Sequence, residues 1–159
     1  MAKKDLVAAS LVKRLKKSGY TVSVAESITA GGIASTITEV PGSSEVFLGG
    51  VIAYSDSLKK KFLAITTAVL KKESAVSESV AISMAENIRK ECKSTFGISA
   101  TGVAGPGKAY GQKAGTVWIG ISTPKESFAI QLALNGDRES IRRESIACAI
   151  ATLERILTP

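Results

Sequence analysis

The stretch of sequence most informative about the fold is TVSVAESITAGG, which covers residues 21–32. Residues 21–25 are a short run of β-branched and small side chains that predicts a strand. Residues 26–32 are dominated by small side chains and predict a tight turn from this strand into a helix. That helix is expected to extend to Glu39 and to end before Val40-Pro41-Gly42, which is a strong turn signal.

The remainder of the chain continues this alternation of strands and helices. Residues 3–18 and 137–157 have apolar side chains at helical spacing. Two further helices are expected, a short one capped by Asp56 that carries Lys59 and Leu63, and a longer one capped by Ser77. Residues 46–54 and 96–100 are apolar runs that predict strands, and 116–123 with 127–134 predict a hairpin. This order predicts an α/β fold, with helices on the faces of a layered sheet.

The composition limits the chemistry that the chain can perform. Its 159 residues have the length of one domain, so residues 1–159 are expected to form a single folding unit. The chain contains no histidine, which excludes Ser-His-Asp and Cys-His catalysis and every histidine-containing zinc site. Cys92 and Cys148 lie far apart and form no metal-binding motif. A general base must therefore be another residue type, such as lysine, aspartate, glutamate or tyrosine.

The net charge of +7 favours anionic ligands, from a single phosphate to nucleic acid. The lysine clusters are short, and aromatic residues are not interleaved with them, so a nucleic-acid partner is not expected. The sequence shows no signal peptide and no apolar span of membrane length, which predicts a cytoplasmic protein without a membrane partner.

Hydroxyl-bearing residues follow three of the predicted strands. Ser27 comes after the first strand, Tyr54-Ser55 after the second and Thr101-Gly102 after the third. In open α/β sheets, ligands bind beyond the carboxyl ends of the strands. The sequence therefore predicts that a functional site lies where these three segments meet.

Ser27 is a candidate nucleophile, and without histidine its best candidate base is a neutral lysine. Lys59 is best placed for this role, because a position in the first turn of a helix and the like charges of Lys60 and Lys61 would lower its pKa. Tyr54 could relay a proton between them. Each residue also has a simpler interpretation: Ser27 as a helix cap, Lys59 as part of a solvated lysine run, and Tyr54 as a core aromatic.

The glycine-rich loop at 102–107 is a candidate binding element. It lacks the Walker and dinucleotide-binding spacings, so it suits one phosphate or a ribose, or is only a flexible loop. Arg138 and Arg142 lie one turn apart on the last predicted helix. They could clamp a phosphate or carboxylate, or could instead pair with Glu139 and Glu144 on the surface.

Several segments carry a family resemblance through their joint order and spacing. They are Val24-Ala25-Glu26-Ser27-Ile28-Thr29-Ala30-Gly31-Gly32, Val40-Pro41-Gly42-Ser43-Ser44, Tyr54-Ser55-Asp56 with Lys59 and Leu63, Ala75-Val76-Ser77, Thr101-Gly102-Val103-Ala104-Gly105-Pro106-Gly107, Gly115-Thr116-Val117-Trp118, and Gly136-Asp137-Arg138 with Arg142. Together they resemble the C-terminal domain of the CinA family, the nicotinamide-nucleotide amidohydrolase domain, over essentially the whole chain. The resemblance implies a three-layer α/β/α sandwich with a mixed central sheet. It also implies hydrolysis of the carboxamide of nicotinamide mononucleotide to nicotinate mononucleotide and ammonia.

The resemblance also implies roles for particular residues. Ser27 would be the nucleophile and Lys59 the base, with Tyr54 and Thr101 in support. Substrate contacts would come from two glycine-containing segments and the last helix: Thr29, Gly31, Gly32, Gly102, Ala104, Gly105, Gly107, Arg138 and Arg142. No metal and no cofactor is implied. The chain resembles the stand-alone form of the domain, and a homo-oligomer, for example a dimer, is expected.

Three positions depart from the family pattern. Asp56 stands where asparagine is usual, and its carboxylate could cap a helix or hold Lys59 protonated. Ile28 replaces a cysteine, which leaves a serine mechanism intact. Lys108 stands where a second glycine is common, and could add a phosphate contact or alter substrate choice. Because of Asp56, the alternative function is a catalytically silent nucleotide-binding module that acts through a partner.

Overall fold

The computed structural model describes residues 3–158. Helices and strands alternate along this part of the chain, followed by a hairpin and a last helix. The helices are α1 (Lys3–Ser18), α2 (Gly32–Thr38), α3 (Asp56–Leu63), α4 (Thr67–Glu73), α5 (Glu78–Cys92) and α6 (Arg138–Ile156). The strands are β1 (Val22–Glu26), β2 (Phe47–Ile52), β3 (Phe96–Gly102), β4 (Thr116–Ser122) and β5 (Ser127–Ala133).

The strands form one mixed sheet in the order β2-β1-β3-β4-β5. Strand β1 pairs in parallel with both β2 and β3, whereas β4 pairs antiparallel with β3 and β5. Since β1, β2 and β3 run in the same direction, their carboxyl ends meet at one edge of the sheet. This brings together the three polar segments that the sequence placed after these strands.

Helices cover both faces of the sheet, which confirms the expected three-layer sandwich. Helices α1, α2 and α6 pack on one face over Val22 and Val24, while α5 packs on the other face over Ala25. Helix α5 lies close to the sheet because the strand residues beneath it are small. A Cβ added at Gly97 would collide with the carbonyl oxygen of Ala85 in α5.

Two local predictions need correction. Helix α3 is capped by Ser55, whose Oγ accepts from the Leu58 amide at 3.3 Å, and not by Asp56, which is its first residue. Helix α4 was not anticipated; it is short and has no buried residue, so it lacks the apolar periodicity that reveals a helix in sequence. The predicted Ser77 cap is confirmed, with the Val80 amide 3.4 Å from Ser77 Oγ.

Among residues 3–158, no helix is both long enough and apolar enough to cross a membrane.

Candidate active site

The centre of the site is a contact between Ser27 and Lys59. Ser27 follows β1 directly, and its amide donates to the Ala100 carbonyl of β3 at 2.9 Å, which fixes its position at the sheet edge. Lys59 projects from α3, and its Nζ lies 3.3 Å from Ser27 Oγ. The lysine is only 1% exposed. A buried amine beside a hydroxyl is the arrangement that a lysine base requires.

The surroundings of Lys59 act on its pKa in opposite directions. Burial lowers the pKa of Lys59, because the charged form loses its hydration, and the Asp56 carboxylate raises it. Asp56 Oδ1 lies 3.9 Å from Lys59 Nζ. The pKa of Lys59 is lowered by burial and not by Lys60 and Lys61, which are exposed. Burial therefore shifts Lys59 towards its neutral form, and Asp56 opposes this shift.

Asp56 is placed unusually for a carboxylate. Its side chain is 46% exposed as a whole, yet Oδ1 is buried and accepts no hydrogen bond from any residue in the described part of the chain. An unpaired buried oxygen is costly, and the ion pair with the Lys59 amine partly offsets this cost. The charge of Asp56 therefore influences whether Lys59, one turn further along α3, is protonated.

The simpler interpretations of the three candidate residues do not fit their positions. The N-cap residue of α2 is Gly31, so Ser27 is not a helix cap. Lys59 is buried and not part of a solvated run, and Tyr54 is 53% exposed and not a core aromatic.

A cavity of about 170 Å³ opens beside Ser27. Its wall combines Ser27, Ile28 and Tyr54 with the glycine-rich loop and the start of α6: Gly102, Val103, Ala104, Gly105, Pro106, Gly107, Lys108, Ala109, Tyr110 and Arg138. Arg138 joins the parts of this wall, because it donates to Tyr54 Oη and to the Gly105 carbonyl, both at 2.9 Å. The loop is therefore held in place and is more than a flexible connection.

Other predicted site residues lie outside the cavity lining. The hydroxyl of Thr101 is buried and donates to the Ala75 carbonyl at 2.7 Å. It therefore holds the segment that precedes α5 against β3. Thr29 is fully buried. Arg142 donates to the carbonyls of Ile28 and Thr29, at 3.1 and 3.2 Å. Its guanidinium therefore holds the backbone after the nucleophile, and the predicted clamp of Arg138 and Arg142 is not formed.

Glu26 is a site residue that the sequence reasoning missed. Its carboxylate is fully buried and accepts from the amides of Gly31, Ile33 and Ala34 at 2.9, 3.0 and 2.8 Å. It occupies the amino-terminal end of α2, so the Gly31 amide is already paired and does not offer a hydrogen bond to a ligand. Gly32 packs against Ile146 of α6. The available signal was an acidic residue at the end of an apolar strand, directly before Ser27.

Comparison with known proteins agrees with this fold. The family model described as the CinA C-terminal domain matches residues 4–157. The chain is 41% identical over 160 residues to a CinA-like protein from Gloeothece citriformis, covering 98% of this chain and 38% of that protein. It is 40% identical over 154 residues to a CinA-like protein from Myxococcus xanthus, covering 96% of this chain and 36% of that protein.

Solved structures show the same architecture. The competence damage-inducible protein A from Klebsiella pneumoniae superposes with a TM-score of 0.95 at 26% identity, covering 98% of both chains. The chain therefore belongs to the CinA C-terminal domain family, as its sequence segments indicated. It spans little more than a third of the length of the two CinA-like relatives.

Proposed function

We propose that this protein hydrolyses the carboxamide of nicotinamide mononucleotide, releasing nicotinate mononucleotide and ammonia. The observation that carries the proposal is the Lys59 Nζ to Ser27 Oγ distance of 3.3 Å, with the lysine 1% exposed and Ser27 lining a cavity. In a chain without histidine, this pair is a combination of nucleophile and base that can run amide hydrolysis. The family resemblance supplies the substrate.

The reaction begins with neutral Lys59. Its amine takes the proton of Ser27 as Oγ bonds to the carboxamide carbon, and the carbonyl oxygen becomes an oxyanion. The lysine ammonium then gives this proton to the amide nitrogen, the carbon–nitrogen bond breaks and ammonia leaves. Water attacks the resulting ester with Lys59 again as base, which yields nicotinate mononucleotide and restores the Ser27 hydroxyl.

Backbone amides of the cavity wall are candidates to stabilise the oxyanion. The amides of Ile28 and Ala104 have no acceptor within residues 3–158, and both residues line the cavity. Arg142 and Glu26 support this arrangement, because both hold the backbone that follows Ser27, Arg142 at the Ile28 carbonyl and Glu26 at the start of α2.

The substrate phosphate would bind where the start of α6 and the segment after the glycine-rich loop line the cavity. Arg138 and Lys108 supply positive charge there, and Gly105 and Gly107 allow the backbone to approach an anion closely. Arg138 already donates to Tyr54 Oη, so Tyr54 helps to hold the arginine in the cavity wall.

A second candidate function is a nucleotide-binding module without turnover. The observation that favours it is Asp56 Oδ1, 3.9 Å from Lys59 Nζ, since a carboxylate at this distance stabilises the ammonium form of the base. This module would retain the cavity and act through a partner.

An ammonia-release assay with nicotinamide mononucleotide, nicotinamide and glutamine side by side tests the proposal. Ser27→Ala and Lys59→Met should each abolish release, while Ser35→Ala and Lys60→Ala, which change exposed residues of the same types, should not. Full activity in either site variant would exclude the Ser27/Lys59 mechanism. Tight binding of the mononucleotide by the unmodified protein without ammonia release would establish the silent module instead.

A further inference from the structure

Tyr110 lies at the tip of a tight two-residue turn in the cavity wall. Ala109 and Gln112 exchange two backbone hydrogen bonds across this turn, of 3.0 and 2.9 Å. The two central residues, Tyr110 and Gly111, have φ angles of +52° and +73°. Positive φ at both central positions is the pattern of a type I′ turn.

A tyrosine at the first central position of such a turn is unfavourable. These positions favour asparagine, aspartate and glycine, because a bulky side chain is strained at positive φ. Core packing does not compensate for the strain, since Tyr110 is 51% exposed. A strained residue without a packing role suggests that its side chain serves the site.

The position of Tyr110 connects it to the reacting groups. It lines the same cavity as Ser27, Tyr54 and Arg138. Burial, followed by the Asp56 carboxylate and Tyr54, raises the pKa of the Tyr110 phenol. Ser74 Oγ donates to the Tyr110 carbonyl at 3.4 Å and ties the turn to the segment before α5.

We propose that Tyr110 is a specificity-determining residue whose ring forms the wall against which the pyridinium ring of the substrate packs. Tyr54 and Tyr110 are the two aromatic residues of the cavity lining within the described chain, and the remainder is small, aliphatic or charged. The proposed substrate carries a positive charge on its ring because the ring nitrogen is ribosylated. An aromatic face attracts such a ring through both stacking and cation–π interaction.

This inference rests on the proposed function for the identity of the ring, and it extends that function to substrate choice. It predicts preference for a charged, N-ribosylated pyridine carboxamide over neutral nicotinamide and over glutamine, which has no ring. The cavity wall would then select substrate in two ways, with Arg138 and Lys108 for the phosphate and Tyr110 for the ring.

The test compares Tyr110→Asn, which suits positive φ but removes the ring, with Tyr110→Phe, which keeps the ring. Both are made in the Ser27→Ala background, and binding of nicotinamide mononucleotide and of ring-free ribose 5-phosphate is measured by calorimetry. Tyr110→Asn should weaken mononucleotide binding roughly 3- to 10-fold and leave ribose 5-phosphate binding unchanged. Tyr110→Phe should restore most of the mononucleotide affinity. Because asparagine relieves the turn, the melting temperature of Tyr110→Asn should equal or exceed that of the Ser27→Ala parent.

Three results would overturn the inference: unchanged mononucleotide affinity in Tyr110→Asn, equal losses for both ligands, or equal losses in Tyr110→Asn and Tyr110→Phe. This binding test and the ammonia-release test of the proposed function can fail independently. If the unmodified protein releases no ammonia but binding depends on the ring of Tyr110, hydrolysis is excluded and the ring contact stands. If the mononucleotide does not bind at all, both are excluded.

Discussion

Replacing Asp56 by asparagine should shift the acidic limb of the pH–rate profile to lower pH. The substitution keeps the shape of the side chain and removes a negative charge 3.9 Å from Lys59 Nζ. That charge raises the pKa of Lys59 against the lowering effect of burial. Without it, burial acts alone, so the lysine becomes neutral, and competent as a base, at a lower pH.

The expected size of the shift follows from the distance between the charges. Coulomb's law at 3.9 Å gives about 1 kcal/mol in bulk water and about 4 kcal/mol at an effective dielectric constant of 20. The Asp56 side chain is 46% exposed, so solvent screens the interaction and the lower figure is the better guide. Since one pKa unit corresponds to 1.36 kcal/mol, we expect a shift of about one pH unit.

The assay is kcat/KM for ammonia release from nicotinamide mononucleotide, measured between about pH 5 and pH 9. Below the limb, Asp56→Asn should be up to about tenfold faster than the unmodified protein, and above it the rates should converge. The control is Glu73→Gln, which removes a carboxylate from the surface ion pair with Lys72. A limb that does not move, or that moves to higher pH, would refute the argument that Asp56 controls the protonation of Lys59.

Three further predictions concern stability and positioning. Because folding lowers the pKa of Lys59 from 10.5, the unfolded chain binds more protons than the folded chain between the lowered pKa and 10.5. The stability of the unmodified protein relative to Lys59→Met should therefore rise with pH across this window, and a flat difference in urea unfolding would contradict this. Glu26→Gln leaves at least one buried amide without an acceptor, so it should lose about 1–3 kcal/mol of unfolding free energy and lower kcat more than it raises KM. Gly97→Ala should lose about 1–3 kcal/mol through collision with the Ala85 carbonyl, and retained stability would show that α5 can move away from the sheet.

The sequence predicted the location of the site well because strand direction determines it. Three apolar runs, each followed by a hydroxyl-bearing residue, sufficed to place Ser27, Tyr54 and Thr101 at one edge of a sheet. What it could not predict was the direction of each side chain. Thr101 turns towards the Ala75 carbonyl, and this depends on the position of α5 in three dimensions.

The two arginines of α6 are a second case in which the sequence did not predict where a side chain points. Their spacing predicted one shared face, but only Arg138 reaches the cavity, while Arg142 binds the carbonyls of Ile28 and Thr29. A spacing rule assigns residues to a helix face and does not distinguish a ligand from a backbone carbonyl as the acceptor. Tyr110 was missed for a related reason, since the strain at its φ angle is visible only in the folded turn.

The burial of Lys59 is difficult to explain by stability alone. Lys59 is only 1% exposed, so its amine has given up most of its hydration. The polar partners of this amine in the described chain are the Ser27 hydroxyl and, at 3.9 Å, one carboxylate oxygen. An apolar side chain of similar length would fill the same space without the desolvation cost. The fold therefore carries a destabilising residue at a position from which it reaches Ser27, which is the pattern expected where chemistry takes precedence over stability. This is why Lys59→Met is informative in two assays at once: a gain in stability near neutral pH together with loss of ammonia release would show that the lysine is retained for its reactivity.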